Sequence, residues 1–228
     1  MADATQVEAR RPVRVRVTSS SGSICIVAEP RADVLVEGRA SIEVGTDGDT
    51  SVKASSKAIE VWCPEGADVV AGTSSGDVRL HGRFGEVRIT TSSARIEIDH
   101  ATAAELRTSS GSVRMSTCDG VCRVATSSGN VEVDRAGELD VRTSSGKIDA
   151  GAASASVRSV SAKVLLRLGD GDAAVETVSG SVTLVIPALR RPSIQVRGQR
   201  EPRIEVEQGS DGLLRVGTVS GRLTVRPE

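Results

Sequence analysis

The sequence predicts an all-β chain wound as a single-stranded parallel β-helix, a β-solenoid. Three observations predict it: a Ser-Ser-Gly tripeptide recurs along nearly the whole chain, its spacing hardly varies, and apolar residues alternate with period two on both sides of it. Clear copies are Ser20-Ser21-Gly22, Ser74-Ser75-Gly76, Ser109-Ser110-Gly111, Ser127-Ser128-Gly129 and Ser144-Ser145-Gly146. Degenerate copies are Ser92-Ser93-Ala94, Val160-Ser161-Ala162, Val178-Ser179-Gly180 and Val219-Ser220-Gly221. From Gly76 to Gly180 the third residues lie 18, 17, 18, 17, 16 and 18 positions apart.

The third residue marks a corner, and the strands follow from it. Two and four places after the corner stand Ile24/Ile26, Val78/Leu80, Ile96/Ile98, Val113/Met115, Val131/Val133, Ile148/Ala150, Val164/Leu166, Val182/Leu184 and Leu223/Val225. The residue between them is usually polar, as at Arg79, Glu97, Arg114, Glu132 and Asp149. Seven, five and three places before the corner stand Val69/Ala71/Thr73, Val87/Ile89/Thr91, Ala104/Leu106/Thr108, Cys122/Val124/Thr126, Leu139/Val141/Thr143 and Ala173/Val175/Thr177. The first copy reads as Val13/Val15/Ser19, with a shift. Short alternation rich in β-branched residues means half-buried strands. Each repeat is therefore strand, sharp corner, strand and looser turn.

Gaps in the motif fill on the same template. Ala40 before Ile42 and Val44, and Lys57 before Ile59 and Val61, supply two hidden copies between Gly22 and Gly76. Pro202 before Ile204 and Val206 is a poorer copy after the enlarged turn Pro187 to Pro192. The total is about twelve rungs of roughly 16–19 residues, a stack about 55 Å long. Residues 1–11 read as an N-terminal tail or cap, and 12–228 as a single solenoid domain. Identical residue types at identical phase argue for rungs stacked in parallel, like on like, since a meander imposes no such recurrence. Strand twist and crossover geometry favour right-handed winding. Gly or Ala suits a bend that needs φ > 0 or a close backbone approach. Ser beside it can bond local backbone groups, and inward Thr can pass a hydroxyl contact between rungs.

Composition narrows the function. With 29 basic and 30 acidic residues the net charge is −1, which gives no drive toward nucleic acid or membrane. One Trp, one Phe and no Tyr leave no stacking platform for bases or sugars. No apolar run is long enough for a signal peptide or a membrane span, so the expected compartment is the cytoplasm. Of the four cysteines, Cys122 faces the core, Cys118 falls in a turn, Cys25 points outward and Cys63 lies just beyond a strand. Without a C-x2-C pair or supporting histidines, they read as ordinary reduced thiols. His81 and His100 have no partner set by spacing, and the Ser-Ser-Gly copies lack a base, so no catalytic residue is assigned. Asp47-Gly48-Asp49 and Asp170-Gly171-Asp172 read as turns, since neither extends to a calcium loop. No metal or cofactor is expected.

One non-structural pattern remains. Arg88, Arg107, Arg123, Arg142 and Arg158 occupy outward positions, six or four places before the corner, in five adjacent repeats. They would form a stripe about 20 Å long. It is either a solvated face or a docking face for an acidic protein partner.

The recurrent Thr-Ser-Ser-Gly-x-Val-x-Val is carried by Thr73–Leu80, Thr108–Met115, Thr126–Val133 and Thr143–Ala150. It resembles the bacterial putative-adhesin β-strand-repeat domains of unknown function, of the toast-rack-like group of single-stranded right-handed β-helices. The resemblance implies a non-catalytic interaction or signalling scaffold, in some members linked to envelope-stress systems. Family members often carry a membrane segment or export signal, and neither is read here. Bactofilin filaments have rungs of similar length without the Ser-Ser-Gly corner. The expectation is a cytoplasmic scaffold that binds a protein partner along one face. The alternatives are a self-assembling, bactofilin-like structural protein, or a surface adhesin exported by an unseen route. A monomer or small oligomer is expected over a filament, because Pro12 and Pro227 bracket the repeat and the flanking arginines repel a stacked neighbour.

Overall fold

The computed structural model describes residues 13–45, 49–198 and 202–228. The expected tail, residues 1–11, lies outside them, as do Asp47 and Gly48 of the first Asp-Gly-Asp cluster. Seventeen strands are described: β1 (Arg14–Ser19), β2 (Ile24–Glu29), β3 (Leu35–Glu37), β4 (Ser41–Val44), β5 (Thr50–Ala54), β6 (Ile59–Pro64), β7 (Asp68–Thr73), β8 (Val78–Thr91), β9 (Ile96–Thr108), β10 (Val113–Thr126), β11 (Val131–Leu168), β12 (Ala173–Thr177), β13 (Ser181–Ile186), β14 (Ser193–Arg197), β15 (Arg203–Ile204), β16 (Leu213–Thr218) and β17 (Arg222–Pro227). No helix occurs among the described residues.

All but one of the predicted rungs are present and parallel. Val113 of β10 stacks between Ile96 of β9 and Val131 of β11, and Thr126 stacks between Thr108 and Thr143. The residues two and four places after each Ser-Ser-Gly corner, clear or degenerate, are buried, from Ile24 and Ile26 through Leu223 and Val225, whereas Ile204 and Val206 of the poorer copy at Pro202 are only half-buried. Full burial of each such aliphatic side chain stabilises by about 1.5–3 kcal/mol, and the stack joins them into one continuous core. The first copy needs no shift: Val15 and Val17 fill its core positions, and Val13 only packs at their margin. The looser turn is itself paired. Phe84 stacks on Ala101 and Cys118 on Ala136, all four buried, so each middle rung has a short third side. Cys118, expected in a turn, is therefore a core residue, and Cys63 lies within β6, fully buried.

The corner chemistry is more local than the sequence suggested. The hydroxyl three places before the corner accepts a hydrogen bond from the corner amide of its own rung. Gly22 N–H reaches Ser19 Oγ at 2.9 Å, Gly111 reaches Thr108 Oγ1 at 3.0 Å, Gly129 reaches Thr126 at 3.0 Å and Gly221 reaches Thr218 at 2.7 Å. At Gly146 and Gly180 φ is positive, at 127° and 138°, and the threonine reverses its role. Thr143 Oγ1 donates to Ser145 O at 2.8 Å, and Thr177 Oγ1 to Ser179 O at 3.0 Å. Most corner glycines do not need positive φ. They need space: a Cβ on Gly129 would sit 1.9 Å from Gly111 O, and one on Gly111 1.7 Å from Ala94 O.

The order of rungs at both ends departs from simple coiling. β1 pairs with β5 on one side and β7 on the other, and β2 with β6 and β8. The first rung in sequence is thus inserted between the third, at Lys57, and the fourth, at Gly76. At the far end β16 lies between β12 and β14, and β17 between β13 and β15. The hidden copy at Ala40 is not a parallel rung: β3 pairs antiparallel with β6, and β4 antiparallel with β5, so the chain traces that rung backwards. Ile42 and Val44, expected in the core, are exposed because no rung lies beyond them. The hidden copy at Lys57 does form a parallel rung, with Ile59 and Val61 buried. Insertion pairs both edges of each terminal rung, leaving the outermost place to irregular segments.

Arg190 fastens the segment at the far end. Its guanidinium is buried and donates to the carbonyls of Asp211, Gly169 and Gly171, at 2.9, 2.5 and 2.6 Å. Asp172 Oδ1 accepts the amide of Leu213 at 2.8 Å, so the Asp170-Gly171-Asp172 turn is a structural anchor.

Two stability outcomes are expected. Gly129→Ala forces a methyl onto a neighbouring carbonyl and costs about 1–3 kcal/mol in denaturant melts, whereas Ser128→Ala, at the exposed place beside it, stays within about 0.5 kcal/mol. Arg190→Met strands three carbonyls at a cost on the order of 3 kcal/mol. Hydrogen exchange accelerates first in residues 187–213, and Arg190→Lys restores only part of the loss.

Candidate partner-binding groove

Because rungs repeat in register, outward residues of the strands before the corner line up in columns along the stack. One column holds Val70, Arg88, Glu105, Arg123 and Asp140. Its charges alternate. Arg88 Nε lies 3.0 Å from Glu105, and its Nη2 lies 3.0 Å from Glu86. The next column, nearer the corner, holds Gly72, Thr90, Arg107, Ala125 and Arg142. Arg158 occupies the same phase of the following rung and stacks on Glu176. The five arginines are therefore exposed on one face but split between two columns.

The columns differ electrostatically. Arg123 is flanked within its own column by Glu105 and Asp140. In the second column Arg107, Arg142 and Arg158 meet a single carboxylate of that column, Glu176, 3.3 Å from Arg158 Nε. Arg107 and Arg142 lean sideways, to Glu105 at 2.6 Å and to Asp140 at 3.6 Å. Glu105, shared by two arginines, is held below the ordinary glutamate range by its hydrogen bond from Arg88 and by the charge of Arg107. On the opposite face the outward column Arg79, Glu97, Arg114 and Glu132 alternates in sign, with Arg79–Glu97 and Arg114–Glu132 contacts of 3.2 and 2.9 Å, and Asp149 of the following rung is paired by Arg167 of a neighbouring column at 2.8 Å.

Between the second column and the corner ridge runs an open groove of ≈ 570 Å³. Arg107, Arg142 and Arg158 form one side, and Ser109, Ser127 and Ser144 the other. These serines are the first of each Ser-Ser-Gly copy. In some copies the second serine hydroxyl is used structurally: Ser93 donates to Ser74 O, Ser110 to Ser92 O and Ser161 to Ser144 O, at 3.4 to 3.5 Å. The first-serine hydroxyls of Ser109, Ser127 and Ser144 have no protein partner among the described residues. Beyond Arg158 the groove continues for another ≈ 590 Å³ past Glu176 and Gly217, with Val178 and Val219 on the ridge.

The remaining reactive groups lie elsewhere. Cys63, Cys118 and Cys122 are buried, and burial pushes the Cys63 thiol up to about 11. The hydrogen bond with Cys118, together with burial, raises the Cys122 thiol well above its ordinary range. Each histidine, expected to be unsupported, meets an aspartate: His81 Nδ1 lies 3.3 Å from Asp99, and His100 Nε2 3.1 Å from Asp119. No group of three or more His, Cys, Asp or Glu converges as a metal-ligand set among the described residues.

The Toastrack DUF4097 family model matches residues 15–184, from the first strand into β13. The chain belongs to the Toastrack family. A solved structure similar to this Toastrack chain is that of a putative cell adhesion protein from Clostridium sporogenes ATCC 15579. It shares 8% identity, covers 95% of this chain and 93% of that chain, and has a TM-score of 0.20. No curated protein matches the chain.

The shared carboxylate gives a measurable pH effect. Because the folded pKa of Glu105 is depressed, its contribution to stability is complete above the unfolded glutamate value and is lost as pH falls through the folded one. A carboxyl-detected NMR titration is expected to place its midpoint below that of an ordinary glutamate. Arg88→Ala, which removes the leading cause, returns the midpoint toward the ordinary value.

Proposed function

We propose that this Toastrack chain is a non-catalytic interaction scaffold that binds a protein partner along the face before the corner. The observation that carries the reading is the column Arg107, Arg142 and Arg158. It places three arginines within four rungs with no carboxylate of its own among them, Arg142 and Arg158 on adjacent rungs and Arg107 one rung further off across Ala125, where the columns of Arg88 and Arg79 alternate charge over four rungs. Like charges one rung apart repel, a cost that a purely solvated face avoids by alternation and that an acidic partner offsets. Extended surfaces of this kind are where repeat proteins commonly bind. The aliphatic core and the diversion of histidines and carboxylates into ion pairs support a role without catalysis. Three thiols packed in the core suit a reducing compartment, so the reading places the chain in the cytoplasm.

A discrete particle suits the ends better than an open filament does. The reversed β3–β4 rung and the segment fastened by Arg190 make the two ends unlike and break the parallel template that end-to-end growth would extend.

Replacing Arg107, Arg123 and Arg142 together by Glu is expected to abolish partner capture in affinity purification while circular dichroism stays unchanged. Undiminished capture by that folded variant would remove the arginine face from consideration.

A further inference from the structure

The corner ridge changes chemistry partway along the stack. In the rungs of Ser109, Ser127 and Ser144 it presents hydroxyls, but the same place in the next three rungs holds Val160, Val178 and Val219. These are consecutive in space: Ser179 N–H bonds Val160 O at 2.8 Å, and Ser220 N–H bonds Val178 O at 2.9 Å. The valines are 53%, 49% and 54% exposed, so the change serves no core. The corner does not require it either, since Ser220 Oγ bonds Val178 O as Ser110 Oγ bonds Ser92 O. Three adjacent exposed valines form a small apolar ridge, and their place beside the groove ties the ridge to it.

We infer that the groove binds one extended peptide segment, running along the stack, with acidic residues over Arg107, Arg142 and Arg158 and apolar residues over Val160, Val178 and Val219. This rests on the docking-face reading above and deepens it. From the Arg107 rung to the Val219 rung are five rung spacings, roughly 24 Å, the length of about eight extended residues. Charge complementarity assigns the acidic half. The valines begin at Val160, on the rung of Arg158, and Glu176 on the next rung, that of Val178, pairs with Arg158 and closes the basic column. The valines favour a peptide over an anionic glycan, which has no apolar side chains to place on them.

The test uses fluorescence anisotropy on the intact protein with labelled eight-residue probes. One is Glu-Ser-Glu-Ser-Val-Ser-Val-Ser; its companions replace every Glu by Gln or every Val by Ser, and an oligogalacturonate serves as the glycan. The acidic–apolar probe is expected to bind about ten-fold more tightly than either companion or the glycan. Val178→Ser with Val219→Ser, the residue found at this place in other rungs, removes the advantage over the valine-free companion. Equal binding of the valine-free probe, tighter binding of the glycan, or no binding of any probe overturns the inference. Because the probe series runs on the unaltered protein, the result does not depend on a variant folding. If the arginine reversal abolishes partner capture while the valine pair leaves it intact, this inference fails and the docking face stands; if neither matters, both fail.

Discussion

The corner is the constraint on which the rest of the fold depends. Parallel rungs bring each corner against the one before it, and at Gly22, Gly76, Gly111 and Gly129 a Cβ would lie 2.0, 2.2, 1.7 and 1.9 Å from a carbonyl oxygen. A glycine there admits the neighbouring backbone. The threonine or serine three residues earlier then holds the corner amide, which faces inward and would otherwise be buried without a partner. The two positive-φ corners confirm the logic by exception. When the peptide turns over at Gly146 and Gly180, the same hydroxyl donates to a carbonyl instead of accepting from an amide.

Stacking like on like imposes a second rule outside the core. Any charge repeated at one phase would meet itself at every rung. The column Arg79, Glu97, Arg114, Glu132 and the column Arg88, Glu105, Arg123, Asp140 both avoid this by alternation, and their ion pairs run from rung to rung. Exposed pairs of this sort add little stability singly. Their larger effect is to avoid repulsion that parallel register would otherwise impose. A column that abandons alternation therefore stands out from the background, as does a ridge that exchanges serine for valine.

The ends answer the problem common to open stacks, whose last strands leave backbone groups unpaired. Both chain-terminal rungs are drawn inward, the first by two places and the last by one, and paired on both edges. The outer places go to residues 35–44, 193–198 and 202–204, which are poor in the repeat motif. A segment at the outer edge packs on one side only, so it is released from the pattern that holds in the middle. Arg190 then supplies by hydrogen bonding what the missing rung cannot supply by packing.

Sequence alone determined the strands, the corners and nearly the whole core, because period-two alternation and a fixed corner translate directly into which side chains face inward. It also singled out the five arginines. Their offsets of six and four places from the corner already contain the two columns, but read as one stripe; which carboxylate each arginine meets depends on the stacked neighbours. Val160, Val178 and Val219 were visible as imperfect copies of the tripeptide, but their exposure on adjacent rungs depends on the stack. The order of rungs at the ends was beyond reach of the sequence: a strand that fits the template fits equally well against any neighbour in register. Only the tertiary structure decided which neighbours β1 and β17 took, because that choice turns on pairing both edges at once, a property of the assembled stack and of no single repeat.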